Sequence, residues 1–216
     1  MNYFKLLLLA VLLPSIASAQ SIFRPGYVVN LKGDTLKGYI DVREWASTPT
    51  SIKFRTGPDA ETKKFTINDI TAFTITNYES YASFTGDITM HKADETFMLM
   101  ERDTAMKTVT VFLKAELIGK NVNLYSYSDR IKTRYFITDK DTPKPQELIY
   151  RLYYDPGKVT LHKGRTVNEN TYMKQLYELA LKYDALDLKL QRIIEDARYD
   201  RSYIKNIVNK INAVKK

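Results

Sequence analysis

The chain has 216 residues, no cysteine and a formal charge of +8. That length suits one compact domain, or a domain with an appendage. Without cysteine, stability has to rest on a buried apolar core rather than on disulfides, and lipid attachment at a cysteine is excluded. The basic excess is spread along the chain and is greatest in its last third. It reads as a solvated surface, with attraction to anionic envelope polymers or lipid headgroups as the alternative.

The N-terminus opens with Lys5, an apolar run from Leu6 to Leu13, the break Pro14-Ser15, and then Ala17-Ser18-Ala19. This is the charged, apolar and small-residue order of a secretory signal peptide cut before Gln20. The apolar run is far below the roughly 20 residues that span a bilayer. No later segment approaches that length, so no transmembrane helix is expected after cleavage. Export argues against nucleic acid as a partner.

From Gln20 to Gly164 the chain reads as an antiparallel β-rich domain. Tyr27–Lys32 and Thr35–Val42 flank Gly33-Asp34, which predicts a tight II′ hairpin. Pairing Lys32 with Thr35 would place Tyr27, Val29, Leu31, Leu36, Ile40 and Val42 on one apolar face. Further strands are predicted at Ser51–Arg55, Lys64–Ile67, Ala72–Thr76, Tyr78–Phe84, Thr96–Met100, Thr108–Leu113, Val122–Tyr127 and Thr133–Thr138. Leu148–Tyr154 is expected to pair with Lys158–Lys163 across Asp155-Pro156-Gly157. The architecture implied is a sandwich or a partly open barrel.

Residues 165–216 switch to a helical period. Met173, Leu176, Tyr177, Ala180 and Leu181 form one stripe. Leu186, Leu190, Ile193, Ile194 and Ala197 form a second, and Tyr203, Ile204, Ile207, Val208 and Ile211 a third. Asp200 is placed to cap the last helix. Stripes of this kind need burial against each other, the sheet or a partner, so the fold class is α+β.

Gly26-Tyr27-Val28-Val29 with Gly33-Asp34-Thr35-Leu36-Lys37-Gly38-Tyr39-Ile40, Asn68-Asp69-Ile70-Thr71-Ala72-Phe73, Phe112-Leu113, Gly119-Lys120, Leu124-Tyr125 and Tyr135-Phe136-Ile137 carry a likeness. Over roughly Gly26 to Tyr154 the chain resembles a family of exported proteins of Bacteroidetes-type bacteria, in which such a β-rich region follows a signal peptide. In some members an outer-membrane barrel follows, where this chain carries a helical tail. The resemblance implies a cell-envelope location and brings no catalytic residue.

The residues supply no local catalytic constellation. His91 and His162 are far apart and read as exposed or edge-strand residues, and no metal site or cofactor is expected. There is no G-x-S-x-G elbow. Gly33 to Gly38 has phosphate-loop spacing, but Tyr39 stands where the lysine is needed. Glu101 with Asp103, and Asp139 with Asp141, are the carboxylate pairs available to a glycosidase; both read as solvated. The aromatic content is the most distinctive feature. Tyr125 and Tyr127 share a strand face, and Tyr135, Tyr150, Tyr153 and Tyr154 lie near in sequence. Tyr125, Tyr127, Tyr135, Tyr153 and Tyr154 are the candidate binding residues, a platform for a glycan or an envelope protein. The alternative is that they pack beneath the helices. The expected function is therefore a non-catalytic binding module, periplasmic or associated with the outer membrane or cell surface. The competing expectations are an envelope hydrolase with scattered acidic residues and a structural accessory of an outer-membrane barrel.

Overall fold

A computed structural model describes residues 22–42, 45–92, 101–155 and 166–214. The expected signal segment, the expected strands Thr96–Met100 and Lys158–Lys163, and His162 lie outside the described residues. In chain order the elements are β1 (Ile22–Asn30), β2 (Thr35–Val42), β3 (Ser51–Arg55), β4 (Lys63–Thr66), β5 (Ile70–Ile75), β6 (Glu79–Thr89), β7 (Met106–Leu117), β8 (Val122–Ser128), β9 (Thr133–Asp139), β10 (Gln146–Glu147), β11 (Arg151–Tyr154) and β12 (Thr166–Glu169). Helices α1 (Thr171–Lys182), α2 (Leu188–Glu195) and α3 (Arg201–Ala213) follow. The expected α+β class holds. Ten strands form one antiparallel sheet in the order β10-β9-β8-β7-β6-β5-β1-β2-β3-β4, and β11 pairs with β12 in a separate ribbon.

The path from β4 to β5 shapes this sheet. The turn between them is closed by Asp69, whose N–H donates to the Thr66 carbonyl at 3.0 Å and whose carboxylate accepts from the Thr66 N–H at 2.8 Å. Thr66 and Ile70 are thus held within about 14 Å, the reach of four residue steps. Yet β5, β1, β2, β3 and β4 are successive neighbours, and in a flat sheet β4 would stand about 19 Å from β5. The sheet therefore coils upon itself at this end. It does not close into a barrel, since β4 pairs only with β3 among the described residues. Val28, Ile40, Ile52, Phe54, Phe73, Ile75 and Phe112 fill the coil. Gly26 and Gly38 face one another across β1 and β2. A methyl group on Gly38 would collide with the Arg55 carbonyl and the Phe54 ring.

The β1–β2 register differs from the expected one. Val28 pairs with Leu36 and Tyr27 with Lys37, a shift of odd parity that exchanges the faces of one strand relative to the other. Val28 is buried instead of Val29, while Tyr27, Leu31 and Leu36 are exposed. The cause is the turn. Gly33 donates to the Asn30 carbonyl at 3.1 Å and has φ 90°, and the Asn30 side chain accepts from the N–H groups of Lys32 and Asp34. This is a three-residue loop with a glycine bulge, selected by Asn30, not a two-residue II′ turn.

The predicted pairing of Leu148–Tyr154 also changes. Leu148 donates to the Tyr135 carbonyl at the edge of the main sheet, so only Arg151–Tyr154 remains for the ribbon, where it pairs with Thr166–Glu169. The helices pack on the far end of the sheet. Tyr172, Leu176, Leu179, Ala180, Leu190, Ile194, Ile204, Ile207, Val208 and Ile211 join Val122, Leu124, Tyr135 and Ile137 in one core. Each fully buried Ile or Leu there contributes roughly 1.5–3 kcal/mol. Asp200 caps α3 as expected, accepting from the Ser202 N–H at 2.8 Å, and Asp187 caps α2. Asn212 fastens the end of α3 to β8, accepting from Val122 N–H at 3.0 Å and donating to its carbonyl at 2.9 Å.

Gly38→Ala should lower the unfolding midpoint in urea by the equivalent of about 1–3 kcal/mol, because the added methyl has no room between Arg55 and Phe54. Equal midpoints for the two chains would refute the tight-coil account.

Candidate functional site

One face of the sheet carries the coil's core at one end and the helix-covered core at the other. Between them β6, β7, β8 and β9 present Glu79, Tyr81, Lys114, Glu116, Ser126, Ser128, Thr133 and Tyr135 into an open cleft of about 640 Å³. The segment Trp45–Thr48 walls it from the coil side and Arg201 of α3 from the helix side. The strand register explains the convergence. Tyr81 pairs with Lys114, Lys114 with Ser126, and Ser126 with Tyr135, so a single ladder crosses the cleft floor. The β7–β8 register shifts between Ala115 and Leu117, which places Glu116 at a bulge. Bulges of this kind re-aim a side chain. Glu116 accepts from Ser126 Oγ at 2.7 Å and from Arg201 Nε at 2.5 Å.

The charges in the cleft are paired. Lys114 bonds the Glu79 carboxylate, whose second oxygen accepts from the Tyr81 hydroxyl at 2.6 Å. Burial, reinforced by the Glu79 hydrogen bond, pushes the Tyr81 phenol upward. Burial likewise pushes Tyr135 up to about 12. Ser128 and Thr133 share a hydroxyl hydrogen bond of 2.7 Å. The wall is held in place by Thr48, which donates its N–H to the Ser128 carbonyl and accepts from the Ser128 N–H. Trp45 meets Phe73 and Tyr81 edge-on, with centroids 6.3 and 5.8 Å apart.

The five predicted tyrosines do not converge. Tyr135 is buried, faces the helix side and forms part of the cleft floor. It packs edge-on against Tyr199, whose hydroxyl donates to the Leu148 carbonyl. Tyr125 and Tyr127 lie on the opposite face of β8, half-buried against the core of Phe84, Ile88, Leu113 and Phe136. Tyr153 and Tyr154 belong to the β11–β12 ribbon and are half-buried. Asp139 and Asp141, read as solvated loop carboxylates, both bond Lys182 at the end of α1, and Asp139 is buried. Glu79, Glu116, Lys114 and Trp45 were not singled out by the sequence. One signal was present: Lys114 and Glu116 continue the alternation of the core residue Phe112, so charges fall on the inward phase of a strand.

A second polar cluster is enclosed and lines no part of the cleft. Arg134 is fully buried on β9 and donates to the Thr89 carbonyl at 2.8 Å. Glu147 accepts from Thr89 N–H at 2.8 Å and from its hydroxyl at 2.5 Å, and stands 4.0 Å from both Arg134 and Lys132. His91, expected as an exposed or edge-strand residue, is 3% exposed and lies just past β6 against the Tyr150 carbonyl. His91 Nε2 stands 2.6 Å from the Tyr150 carbonyl oxygen and 2.8 Å from Lys132 Nζ. Burial, then the Lys132 ammonium, lowers His91 to about 4. Burial lowers Lys132 to about 7 against the opposing pull of Glu147. Among the described residues no group of three or more histidine, aspartate or glutamate side chains is arranged to hold a metal ion. Among the described residues no helix is long and apolar enough to cross a membrane.

Compared with known proteins, the chain matches no family model, no curated protein and no solved structure.

Glu147→Ala should destabilise the fold by about 1–3 kcal/mol, since it leaves the Thr89 N–H and hydroxyl without their buried acceptor and Lys132 without its counter-charge at 4.0 Å, while Arg134 keeps Asp129 at 3.1 Å. A loss below about 1 kcal/mol in chemical denaturation would show that the cluster does not anchor the sheet. The lowered His91 value also fixes a pH dependence. The unfolded chain takes up a proton near pH 6.5 and the folded chain only near pH 4, so this contribution is full above about 6.5 and is lost as pH falls toward 4. His91→Gln should flatten the unfolding profile across that window relative to the native chain; parallel profiles would contradict it.

Proposed function

We propose that the protein is an exported binding module of the cell envelope and that its ligand sits in the cleft between the two covered ends of the sheet. The cleft carries the reading. It is an open concavity of about 640 Å³, lined by aromatic, hydroxyl and charged side chains that are already held by one another. Binding sites are concave, largely pre-formed and furnished with a few fixed polar groups. The envelope location follows from the signal-peptide reading of the first 19 residues and from the family resemblance. A binding role suits the cleft better than hydrolysis. A glycosidase needs one carboxylic acid free to protonate the leaving group. Here Glu79 is bonded by Lys114 and Tyr81, and Glu116 by Arg201 and Ser126.

Two measurements test the reading together. The chain expressed with its N-terminal segment should be recovered from the envelope fraction, beginning at Gln20. The thermal midpoint of that mature chain should rise when solubilised envelope polymer is added, by several degrees at saturation. Ser47→Trp, an exposed position on the cleft wall, should abolish the rise. Recovery of uncleaved chain from the cytoplasm, or an equal rise in both proteins, would sink the proposal.

A further inference from the structure

We infer that the ligand of the cleft is a neutral polyhydroxylated molecule, a short saccharide segment; the inference rests on the reading of the cleft as a binding site. The first argument is charge balance. Lys114 is matched by Glu79 and Arg201 by Glu116, so the lining carries no net formal charge. An anionic ligand would have to compete with Glu79 or Glu116 for its cation, and a cationic one with Lys114 or Arg201 for its carboxylate. A neutral ligand disturbs neither pair.

The second argument is hydrogen-bonding capacity. An ionised carboxylate offers about four acceptor sites. Glu79 uses one oxygen for Lys114 and the other for Tyr81, while Glu116 receives Ser126 on one and Arg201 on the other. Acceptor sites therefore remain on carboxylates that are already fixed in place. Ser128 and Thr133 use one proton in their mutual bond, leaving the other hydroxyl proton to donate. A ligand rich in hydroxyls meets both demands, because each hydroxyl donates once and accepts twice.

The third argument is shape. Trp45 and the half-exposed Tyr78 supply flat apolar surface on the cleft lining. A pyranose has an apolar C–H face and a hydroxyl rim, which matches an aromatic wall above a floor of carboxylates. A peptide strand is favoured less. It is recognised by adding to an open main-chain edge, whereas the cleft floor is made of side chains on paired strands of the sheet interior.

The chain contains a single tryptophan, Trp45, so its emission reports on the cleft. The mature chain is titrated with cellotriose, maltotriose and tri-N-acetylchitotriose, with oligogalacturonate as the acidic probe, and with a zwitterionic tripeptide. The expected result is a saturable change in Trp45 emission with at least one neutral trisaccharide. Affinity for it should fall about tenfold or more in Glu116→Gln, which weakens a charged acceptor. Tyr78→Ala, at an exposed position that leaves the core untouched, should weaken it severalfold and keeps the test valid if the Glu116 variant does not fold. No response to any neutral trisaccharide overturns the inference, as does tighter binding of the acidic probe or of the peptide. In those cases a persisting thermal shift with envelope polymer, lost in Ser47→Trp, leaves the binding module standing. Loss of both signals removes both.

Discussion

The four-residue step from Thr66 to Ile70 governs the rest of the molecule. It joins strands that lie at opposite ends of a five-strand run, and no flat arrangement of that run can satisfy it. Once the sheet is forced to coil, its inner face is filled by its own side chains, from β1 to β5 with Tyr81 of β6 and Phe112 of β7. The remaining strands cannot be covered in the same way. They are covered by α1 to α3, whose apolar stripes dock on Val122, Leu124, Tyr135 and Ile137. Two independent means of burial thus act on one face, and the cleft is the interval between them.

That interval has a chemistry of its own because it is neither dry nor fully wet. The Glu116 side chain is 4% exposed, while its partner Arg201 is 56% exposed. An ion pair in such a position stabilises the fold little, since desolvation offsets much of the attraction. Its clearer effect is positional. Arg201 starts α3, Asn212 ends it on β8, and so the helix is fastened at both ends of the face it covers. The same contact orients the carboxylate toward the cleft. Structure and site share one interaction.

Legibility from the sequence followed the range of the forces involved. Asp200 was readable because an N-cap is set by its own neighbours. The helical stripes were readable as periodicity, although Leu181 turned outward at 52% exposure and Tyr172 took the buried place. The β1–β2 hairpin was readable in position but not in register, because the Asn30 side chain, rather than Gly33-Asp34 alone, selects the turn. For the tyrosines, alternation showed that Tyr125 and Tyr127 share a face. It could not show that the helices cover the other one, where Tyr135 lies. The cleft draws on Trp45, Glu79, Lys114, Ser126 and Arg201, five segments that only the coil and the helix docking bring together.

The enclosed cluster around Glu147 shows why displaced titration alone is a poor guide to the site. Lys132 near 7 and His91 near 4 depart from their ordinary values farther than most groups in the chain, and such groups gather at functional sites. Structural networks displace them too, and the geometry separates the two cases. Glu147 spends its oxygens on Thr89 and its charge on Arg134 and Lys132, so the cluster ties β6, β9 and β10 together from within. Both side chains of the Lys132–Glu147 pair are almost fully enclosed. In the cleft, by contrast, Tyr78 and Arg201 stand at an open rim above carboxylates already held in place. A ligand needs entry as well as fixed partners, and the cleft combines them.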